Sequence, residues 1–291
     1  MKTDIYQTVT NNIVEALEQV SLDDYKAPFA RLTGQKMPIN PVTANQYHGI
    51  NTLVLWLEQQ VKGYSCNEWG TFKQWKDKGA QVKKGEKSSL IIFYKRVEKK
   101  DTDGNDPEYY NMLKSYRVFN ADQVEGYESK LELEEGQLST VERIEQIEQF
   151  VTATSADIHT EKNKACFCPS TDHIEMPCKD RFFDTDQSAT ENYYAVLLHE
   201  LTHWTGGKKR LDREQVGYGS NKESYAFEEL IAELGSAFLC SQFGIMQQGR
   251  DDHAIYIKSW LQALKNDKKL IFKASAQAQK AVDFLNNLQG G

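Results

Sequence analysis

The sequence predicts an α+β protein of two domains, the first of mixed helices and strands, the second mainly helical with a small β-sheet. Three features lead to this prediction. Two runs rich in Ile, Phe, Tyr and Val, at Ser88–Val97 and Tyr109–Phe119, have the composition of strands. After residue 140, apolar residues recur mostly at helical spacing. Between them, residues 129–140 are acidic and polar, as linkers often are. We therefore predict domains at 1–128 and 141–291.

Apolar spacing predicts a first helix over Lys2–Glu18 and a second around Ile50–Val61. Residues 101–108, DTDGNDPE, separate the two strand-like runs, and their Asp-Gly pair favours a hairpin turn. In the C-terminal domain, we predict a helix over Val141–Val151 and a short strand pair at Ala165–Cys168 and His173–Met176. Three or four further helices are expected from Thr190 onward.

The bulk composition favours a soluble, folded chain. Hydrophobic residues make up 40% of the 291 residues, and the net charge is −7, values that predict a packed core rather than disorder. The N-terminus lacks the continuous apolar segment of a signal peptide. No stretch approaches the roughly 18–20 apolar residues that span a bilayer, so no membrane partner is expected. Five cysteines, an odd number, favour reduced thiols in the cytoplasm.

The run HELTH contains the strongest functional motif. It lies in SATENYYAVLLHELTHWTGG, where Ser188 and Glu191 have capping-box spacing and two glycines can end the helix. His199 and His203 lie one helical turn apart, so both imidazoles can reach one ion at about 2.0–2.1 Å. Glu200 lies roughly 100° around the helix and can act as the general base toward an attacking water molecule. HExxH fixes only three positions and also occurs by chance, but the capped helix favours a metal site.

A catalytic zinc usually has three protein ligands, and the segment YAFEELIAE supplies candidates for the third. Glu229 and Glu233 are four residues apart and share a helix face. We assign Glu229 to the metal, and Glu233 to a hydrogen bond with a ligating histidine. Glu228 is predicted to point elsewhere and to be exposed. Nitrogen and oxygen ligands suit Zn²⁺, with Mn²⁺ or another divalent ion as the alternative.

Two further sets of residues are open to more than one interpretation. His253 and Tyr256 are three positions apart on a predicted helix, and His253 can stabilise an oxyanion or be a structural histidine. Cys166 and Cys168 alternate along a strand and share a face. Together with Cys178 they give only a weak zinc signal, and ordinary thiols are the favoured interpretation. The same strand, ACFCP, or its neighbour HIEMP can align an extended peptide.

Basic and aromatic residues are concentrated at residues 62–100, where eleven Lys and Arg accompany four Asp and Glu. Such a mixture is typical of single-stranded nucleic-acid binding, because cations contact phosphates while bases stack on rings. The same pattern also fits a buried aromatic core beneath a solvated lysine surface. The predicted phosphate contacts are Lys73, Lys76, Lys83, Lys84, Lys87, Lys95 and Arg96, and the predicted stacking residues are Trp69, Trp75 and Tyr94.

At the level of whole motifs, the chain resembles the ArdC antirestriction family, which is carried on conjugative plasmids. The resemblance rests on HELTHW, RLDR and YAFEELIAELGSAFL, and extends through CFCPSTDHIEMP and HAIYIKSWLQALKNDKKLIFKASAQAQKA. At the N-terminus, QYHGINTLVLWL and WGTFKQWKDKGAQVKKGEKSSLIIFYKR are similar to the family's first domain and to a region of some plasmid primases. The metal site resembles that of gluzincin peptidases more distantly.

The resemblance implies a bacterial protein that binds single-stranded DNA and protects incoming DNA from host restriction during conjugation. It implies the same ligands as the spacing, namely His199, His203 and Glu229, with Glu200 as base. The protein substrate is not identified; a host restriction component is one candidate. Two rival interpretations are kept: a DNA-coating protein with a structural metal, and a cytosolic peptidase that does not act on DNA complexes. Whether the protein enters the recipient cell is left open.

Overall fold

The computed structural model describes residues 4–21, 36–98, 109–129, 139–213, 222–247 and 253–290. These residues form an α+β fold of two compact units. The N-terminal unit lies within residues 38–47 and 51–131, and the C-terminal unit within residues 1–37, 48–50 and 132–291. Among the described residues, no helix is both long and apolar enough to cross a membrane.

In the N-terminal unit, β1 (Trp69–Thr71), β4 (Tyr109–Asn120) and β3 (Ser89–Glu98) form, in that order, a three-stranded antiparallel sheet. Helix α2 (Ile50–Lys62) packs on this sheet through Leu55. The predicted hairpin is confirmed, because all ten residues of the first long strand pair with the second; its predicted turn at residues 101–108 lies outside the described residues. A second small antiparallel pair joins β2 (Gln81–Val82) to β5 (Val124–Glu125). The elements are α2 (Ile50–Lys62), β1 (Trp69–Thr71), α3 (Phe72–Asp77), β2 (Gln81–Val82), β3 (Ser89–Glu98), β4 (Tyr109–Asn120) and β5 (Val124–Glu125).

The C-terminal unit is mainly helical with one small sheet, as predicted. In the sheet, β8 (His173–Glu175) is the central strand, with β7 (Cys166–Cys168) antiparallel to it on one side and β6 (Asp157–His159) parallel to it on the other. The parallel strand was not predicted, because three residues carry too little periodicity to indicate one. The elements are α1 (Ile5–Ser21), α4 (Thr140–Ala153), β6 (Asp157–His159), β7 (Cys166–Cys168), β8 (His173–Glu175), α5 (Ala189–Thr205), α6 (Lys222–Phe243), α7 (His253–Asn266) and α8 (Leu270–Asn287).

Helix α1 belongs to the C-terminal unit, whereas the sequence placed it in the first domain. Its buried face includes Val9, Ile13 and Val14, and it lies against α7. The Thr10 hydroxyl donates to the backbone oxygen of Lys268 at 2.8 Å. This packing could not be predicted from the sequence, since an amphipathic helix shows which face is buried but not its partner.

Candidate metal centre

Helix α5 presents two histidines toward one point. A capping box fixes its start: the Ser188 hydroxyl accepts the backbone N–H of Glu191, and the Glu191 carboxylate accepts the N–H of Ser188. From this start the HELTH run falls in the last two turns. The Nε2 atoms of His199 and His203 lie 3.2 Å apart. His199 is buried and His203 is largely so.

Helix α6 brings Glu229 to the same point. Its two carboxylate oxygens lie 3.5 Å from the Nε2 atoms of His199 and His203. Nitrogen and oxygen donors placed at about 2.0–2.2 Å around a tetrahedral ion are about 3.3–3.5 Å apart. The three donors therefore have the spacing that a tetrahedral divalent ion requires, and they form one compact group.

Gly235 allows the close approach of α5 and α6. A Cβ atom at this position would lie 2.5 Å from Cγ2 of Thr202, within the HELTH run, and 3.0 Å from its hydroxyl. Gly235 and Glu229 are six residues apart on α6, so the close approach of α6 to α5 at Gly235 also brings that carboxylate near the histidines. Sequence reasoning missed this residue. The only available signal was a glycine inside a strongly helical segment, which indicates close packing without naming the partner.

Each histidine has a carboxylate partner on its other ring nitrogen. Oε1 of Glu233, which is fully buried, lies 3.4 Å from Nδ1 of His199. The other oxygen of Glu233 accepts a 2.7 Å hydrogen bond from the side chain of Gln247. Such partners fix the orientation of an imidazole and favour the tautomer that leaves Nε2 able to bind a metal.

The prediction for Glu228 is wrong. Glu228 is only 3% exposed, and its Oε1 lies 3.1 Å from Nδ1 of His203. Arg213 forms a bidentate salt bridge with the same carboxylate, with hydrogen bonds of 2.6 and 3.0 Å. Its guanidinium also donates to the Thr205 hydroxyl and the Thr202 carbonyl. A position next to a ligand points elsewhere on an isolated helix, but here α5 and the loop after it cover that face as well.

The protein electrostatics of this cluster favour a cation. Burial opposes protonation of His203, but the negative charges of Glu229 and Glu228 and their hydrogen bonds outweigh it and raise the pKa of His203 to about 10. Burial likewise opposes ionisation of Glu229, but the two histidines hold the pKa of its carboxyl far below its usual range. In the metal-free chain a proton on His203 partly neutralises the carboxylates, and a bound cation would take over that role.

Glu200 lies between the metal ligands and the small sheet. Its carboxylate is 2% exposed and accepts the backbone N–H of Phe167, on strand β7, at 2.9 Å. Strand β7 is an edge of the described sheet. The turn after it is tied to the loop after α5 by an ion pair between Asp172 and Arg210, and the guanidinium also stacks 3.9 Å over the Trp204 ring. His253 begins α7, and its side chain lies outside the described part of the chain.

Two of the predicted stacking residues are not available to a base. Trp69 and Trp75 are both 0% exposed. Trp69 packs in a cluster with Tyr47, Leu55 and Val118, and the Trp75 indole donates to the Phe119 carbonyl at 3.0 Å. The interpretation of both tryptophans as stacking residues is therefore wrong. They lie in the core of the N-terminal unit, because burial of a large aromatic ring stabilises the fold more than its exposure to water would.

Tyr94, by contrast, is 52% exposed. Three further rings that were not among the predicted stacking residues are also exposed, namely Phe72, Phe93 and Tyr116; the Phe93 and Tyr116 rings meet edge to face at 5.4 Å. Among the predicted phosphate contacts, Lys83 donates to the Asp122 carbonyl at 2.8 Å. Lys73, Lys76, Lys83, Lys84 and Lys87 are exposed, whereas the side chains of Lys95 and Arg96 lie outside the described residues.

Comparison with known proteins shows similarity along both halves of the chain. A family model for the "N-terminal domain of anti-restriction factor ArdC" matches residues 3–121, and one for a "zincin-like metallopeptidase" matches residues 145–277. The y4eC protein of Sinorhizobium fredii (strain NBRC 101917 / NGR234) is 38% identical over 99% of this chain and 93% of its own length. The DNA primase TraC of Escherichia coli is 36% identical over 98% of this chain, which spans 27% of the primase.

Two crystal structures of the antirestriction ArdC protein from plasmid R388 share this fold. The metal-free structure has a TM-score of 0.79 and 39% identity, and the match covers 99% of this chain and 98% of that one. The Mn(II)-bound structure has a TM-score of 0.78 at the same identity, with 99% of both chains covered. The fold, the grouped ligands and these relatives together show that the chain belongs to the ArdC antirestriction family and has a zincin-like metallopeptidase domain in its C-terminal half.

Proposed function

We propose that this protein protects incoming DNA from host restriction, binding single-stranded DNA with its N-terminal unit and using its C-terminal unit as a zinc-dependent peptidase. The observation that carries the peptidase proposal is the near-tetrahedral spacing of His199, His203 and Glu229 beside the buried carboxylate of Glu200. A purely structural site would not need a carboxylate at this place. Family membership supports the antirestriction role.

Each residue of the proposed metal centre has a distinct role. His199, His203 and Glu229 would hold the ion, and Glu233 and Glu228 would fix the two imidazoles through Nδ1. The ion, when bound, supplies Lewis acidity that polarises a peptide carbonyl and acidifies water. We propose Zn²⁺ for the tetrahedral donor set, with Mn²⁺ as an accepted alternative since both bind nitrogen and oxygen ligands. Glu200 receives the proton of the attacking water and passes it to the leaving amine.

Strand β7 gives this centre a place for an extended substrate. It is an edge strand of the described sheet, and a peptide can add to such an edge through main-chain hydrogen bonds. The Phe167 N–H holds Glu200, so the strand that aligns the peptide also positions the base. We propose an unstructured protein segment as the substrate, with a host restriction component as the candidate source.

The exposed rings and lysines of the N-terminal unit support the DNA proposal. Phe93, Tyr94 and Tyr116 are 43–52% exposed and lie on the β3–β4 hairpin. Phe72, which is 56% exposed, is followed on α3 by the exposed Lys73 and Lys76. Stacking on such rings contributes about 1–3 kcal/mol per base, with no need for a particular sequence, while lysines neutralise phosphates.

Fluorescence anisotropy with labelled single-stranded DNA tests this surface in the full chain. The double variant Phe93→Ala/Tyr94→Ala should weaken binding at fixed salt by at least about fivefold, the loss of at least one stacked base. Phe183→Ala is the matched control, since this ring is 75% exposed but lies in the C-terminal unit. Equal binding by the double variant and the control, or binding with no salt dependence, would remove the DNA proposal and favour a peptidase that does not act on DNA complexes.

Glu200→Gln tests whether the centre is catalytic. Glutamine keeps the shape and can still accept the Phe167 N–H, but it cannot take a proton from water. We expect normal metal content and loss of protection, measured as transfer of unmodified plasmid DNA into a restricting recipient. Glu223→Gln, at an exposed position early in α6, is the matched control. Full protection by the Glu200 variant would instead support a DNA-coating protein with a structural metal.

A further inference from the structure

One face of the small sheet in the C-terminal unit gathers side chains that bind metals. On β7, Cys166 and Cys168 point to this face, and the buried Phe167 between them points away. On β8, Glu175 lies directly opposite Cys166, and His173 lies directly opposite Cys168. Side chains opposite each other on antiparallel strands have Cβ atoms about 4.5–5.5 Å apart. The pairing of the strands therefore brings two thiols and a carboxylate together.

The distances within this cluster fit a metal ion. The two Sγ atoms are 3.8 Å apart, and Cys166 Sγ lies 3.7 Å from Oε2 of Glu175. Sulfur ligands at about 2.3 Å on a tetrahedral ion are about 3.8 Å apart, and a sulfur and a carboxylate oxygen are about 3.5–3.6 Å apart. The three donor atoms form one compact group, separate from that of His199, His203 and Glu229.

The two cysteines of this cluster are free thiols, and basic side chains lie beside its carboxylate. All five cysteines are unpaired thiols, and 3.8 Å is far from the S–S bond length of about 2.05 Å. Oε1 of Glu175 lies 3.5 Å from Nε2 of His173. The His173 ring in turn stacks on the His159 ring, with centroids 4.3 Å apart. Lys162 lies 3.7 Å from the same carboxylate. The thiols and the carboxylate are only half-buried, so an ion and a fourth ligand can reach them from solvent.

We propose that Cys166, Cys168 and Glu175 form a second metal site, for a thiophilic divalent ion such as Zn²⁺. Thiolates select this class of ion over Mg²⁺, Ca²⁺ and Mn²⁺, which favour oxygen ligands. Binding requires both thiols to lose their protons. Burial and the negative charges around it raise the pKa of the Cys166 thiol to about 12, so at neutral pH the protons leave as the ion binds.

The second ion would fasten edge strand β7 to β8. This matters for the first site because Phe167, between the two cysteines, donates its N–H to Glu200 at 2.9 Å. An ion on the outer face of the strand therefore holds the backbone amide that positions Glu200. The two sites differ in ligand chemistry, with thiolate sulfur in one and imidazole nitrogen in the other, so one spectroscopic probe can tell them apart.

Titration of the reduced, metal-free full chain with Co²⁺ tests the proposal. Thiolate-bound cobalt gives an intense sulfur-to-metal charge-transfer band in the near ultraviolet, which imidazole and carboxylate ligands do not give. We expect this band and two cobalt ions per chain in the unsubstituted protein. Cys166→Ser/Cys168→Ser should lose the band and retain one ion. The control Cys178→Ser removes a half-buried thiol outside the cluster. It should retain the band and both cobalt ions.

His203→Ala gives the complementary result, since it removes a ligand of the first site alone. This variant should keep the charge-transfer band and lose one cobalt ion, so a failure of the first site is distinguished from a failure of the second. Absence of the band in the reduced, folded chain would overturn the proposal. So would a band that persists in Cys166→Ser/Cys168→Ser, or a Cys166–Cys168 disulfide that forms in the presence of saturating Zn²⁺.

Discussion

The candidate metal centre buries its charged side chains, whereas the basic segment at residues 62–100 exposes the lysines that the structure describes and buries its tryptophans. At the metal centre, carboxylates, imidazoles and a guanidinium are buried together, and Glu228, Glu229, Glu233 and Arg213 are each no more than 6% exposed. In the N-terminal unit, lysines stay on the surface, and Trp69 and Trp75 fill the interior.

This difference has consequences for how function depends on folding. Buried charges hold one another in place, so removing one leaves a partner uncompensated and affects both stability and metal binding. Exposed rings and lysines act more independently, so we expect their loss to leave the fold intact and, under the DNA proposal, to reduce binding. The following substitutions test this contrast, from the largest expected effect to the smallest.

Trp75→Ala should lower the free energy of unfolding of the protein by about 3–5 kcal/mol, because a fully buried ring is replaced by a cavity. Phe72→Ala, on the same helix but at a ring that is 56% exposed, should change it by no more than about 0.5 kcal/mol. Urea denaturation followed by tryptophan fluorescence and circular dichroism measures both. A stable Trp75→Ala protein that has lost DNA binding would restore Trp75 as a stacking residue.

Glu229→Gln should weaken binding of Zn²⁺ or Mn²⁺ by at least about 100-fold, or about 2.7 kcal/mol, since even outer partners of metal ligands contribute about 10–100-fold. Isothermal titration calorimetry measures the affinity. Glu223→Gln, an exposed position on the same helix, should bind normally. Undiminished affinity in the Glu229 variant would show that this carboxylate is not a ligand.

Gly235→Ala should lower the free energy of unfolding by about 1–3 kcal/mol and weaken metal binding, because the new Cβ would lie 2.5 Å from Thr202 Cγ2 and push the two helices apart. Thr202→Ala removes the atoms that clash, so the double variant should recover most of both losses. Thermal unfolding and metal titration on the two single variants and the double variant form a complete cycle. If the double variant recovers neither stability nor metal binding, the effect of Gly235→Ala does not come from a clash with Thr202.

Glu191→Gln should cost about 1 kcal/mol at neutral pH, because it weakens the cap of α5 and the 2.8 Å pair with Arg143. Burial opposes ionisation of Glu191, but hydrogen bonds from Arg143 and Ser188 outweigh it and hold its pKa below the usual 4.5. The carboxylate therefore stabilises the fold above pH 4.5, and this contribution is lost as the pH falls through the lower pKa of the folded state. Unfolding experiments should show the two proteins converging in acid; a constant difference would contradict this.

Local signals predicted much of both regions. The capping box at Ser188, the one-turn spacing of His199 and His203, and the antiparallel pairing of the two long strands all depend on short stretches of backbone. The burial of Glu228 could not be predicted in this way. Glu228 is held by a hydrogen bond from Arg213, which lies 15 residues earlier in the chain. The periodicity of α6 cannot predict a contact with a residue outside that helix.

The sequence by itself determined where the helices and the long hairpin lie, which histidines share a face, and that a glutamate on the following helix is available to them. It did so because helix and strand geometry place residues at fixed intervals along the chain. Only the tertiary structure decided which aromatic rings are buried, that α1 packs in the C-terminal unit, and that Cys166 and Cys168 meet Glu175. Those outcomes depend on contacts between elements distant in sequence, where burial of apolar surface and strand pairing select the partner.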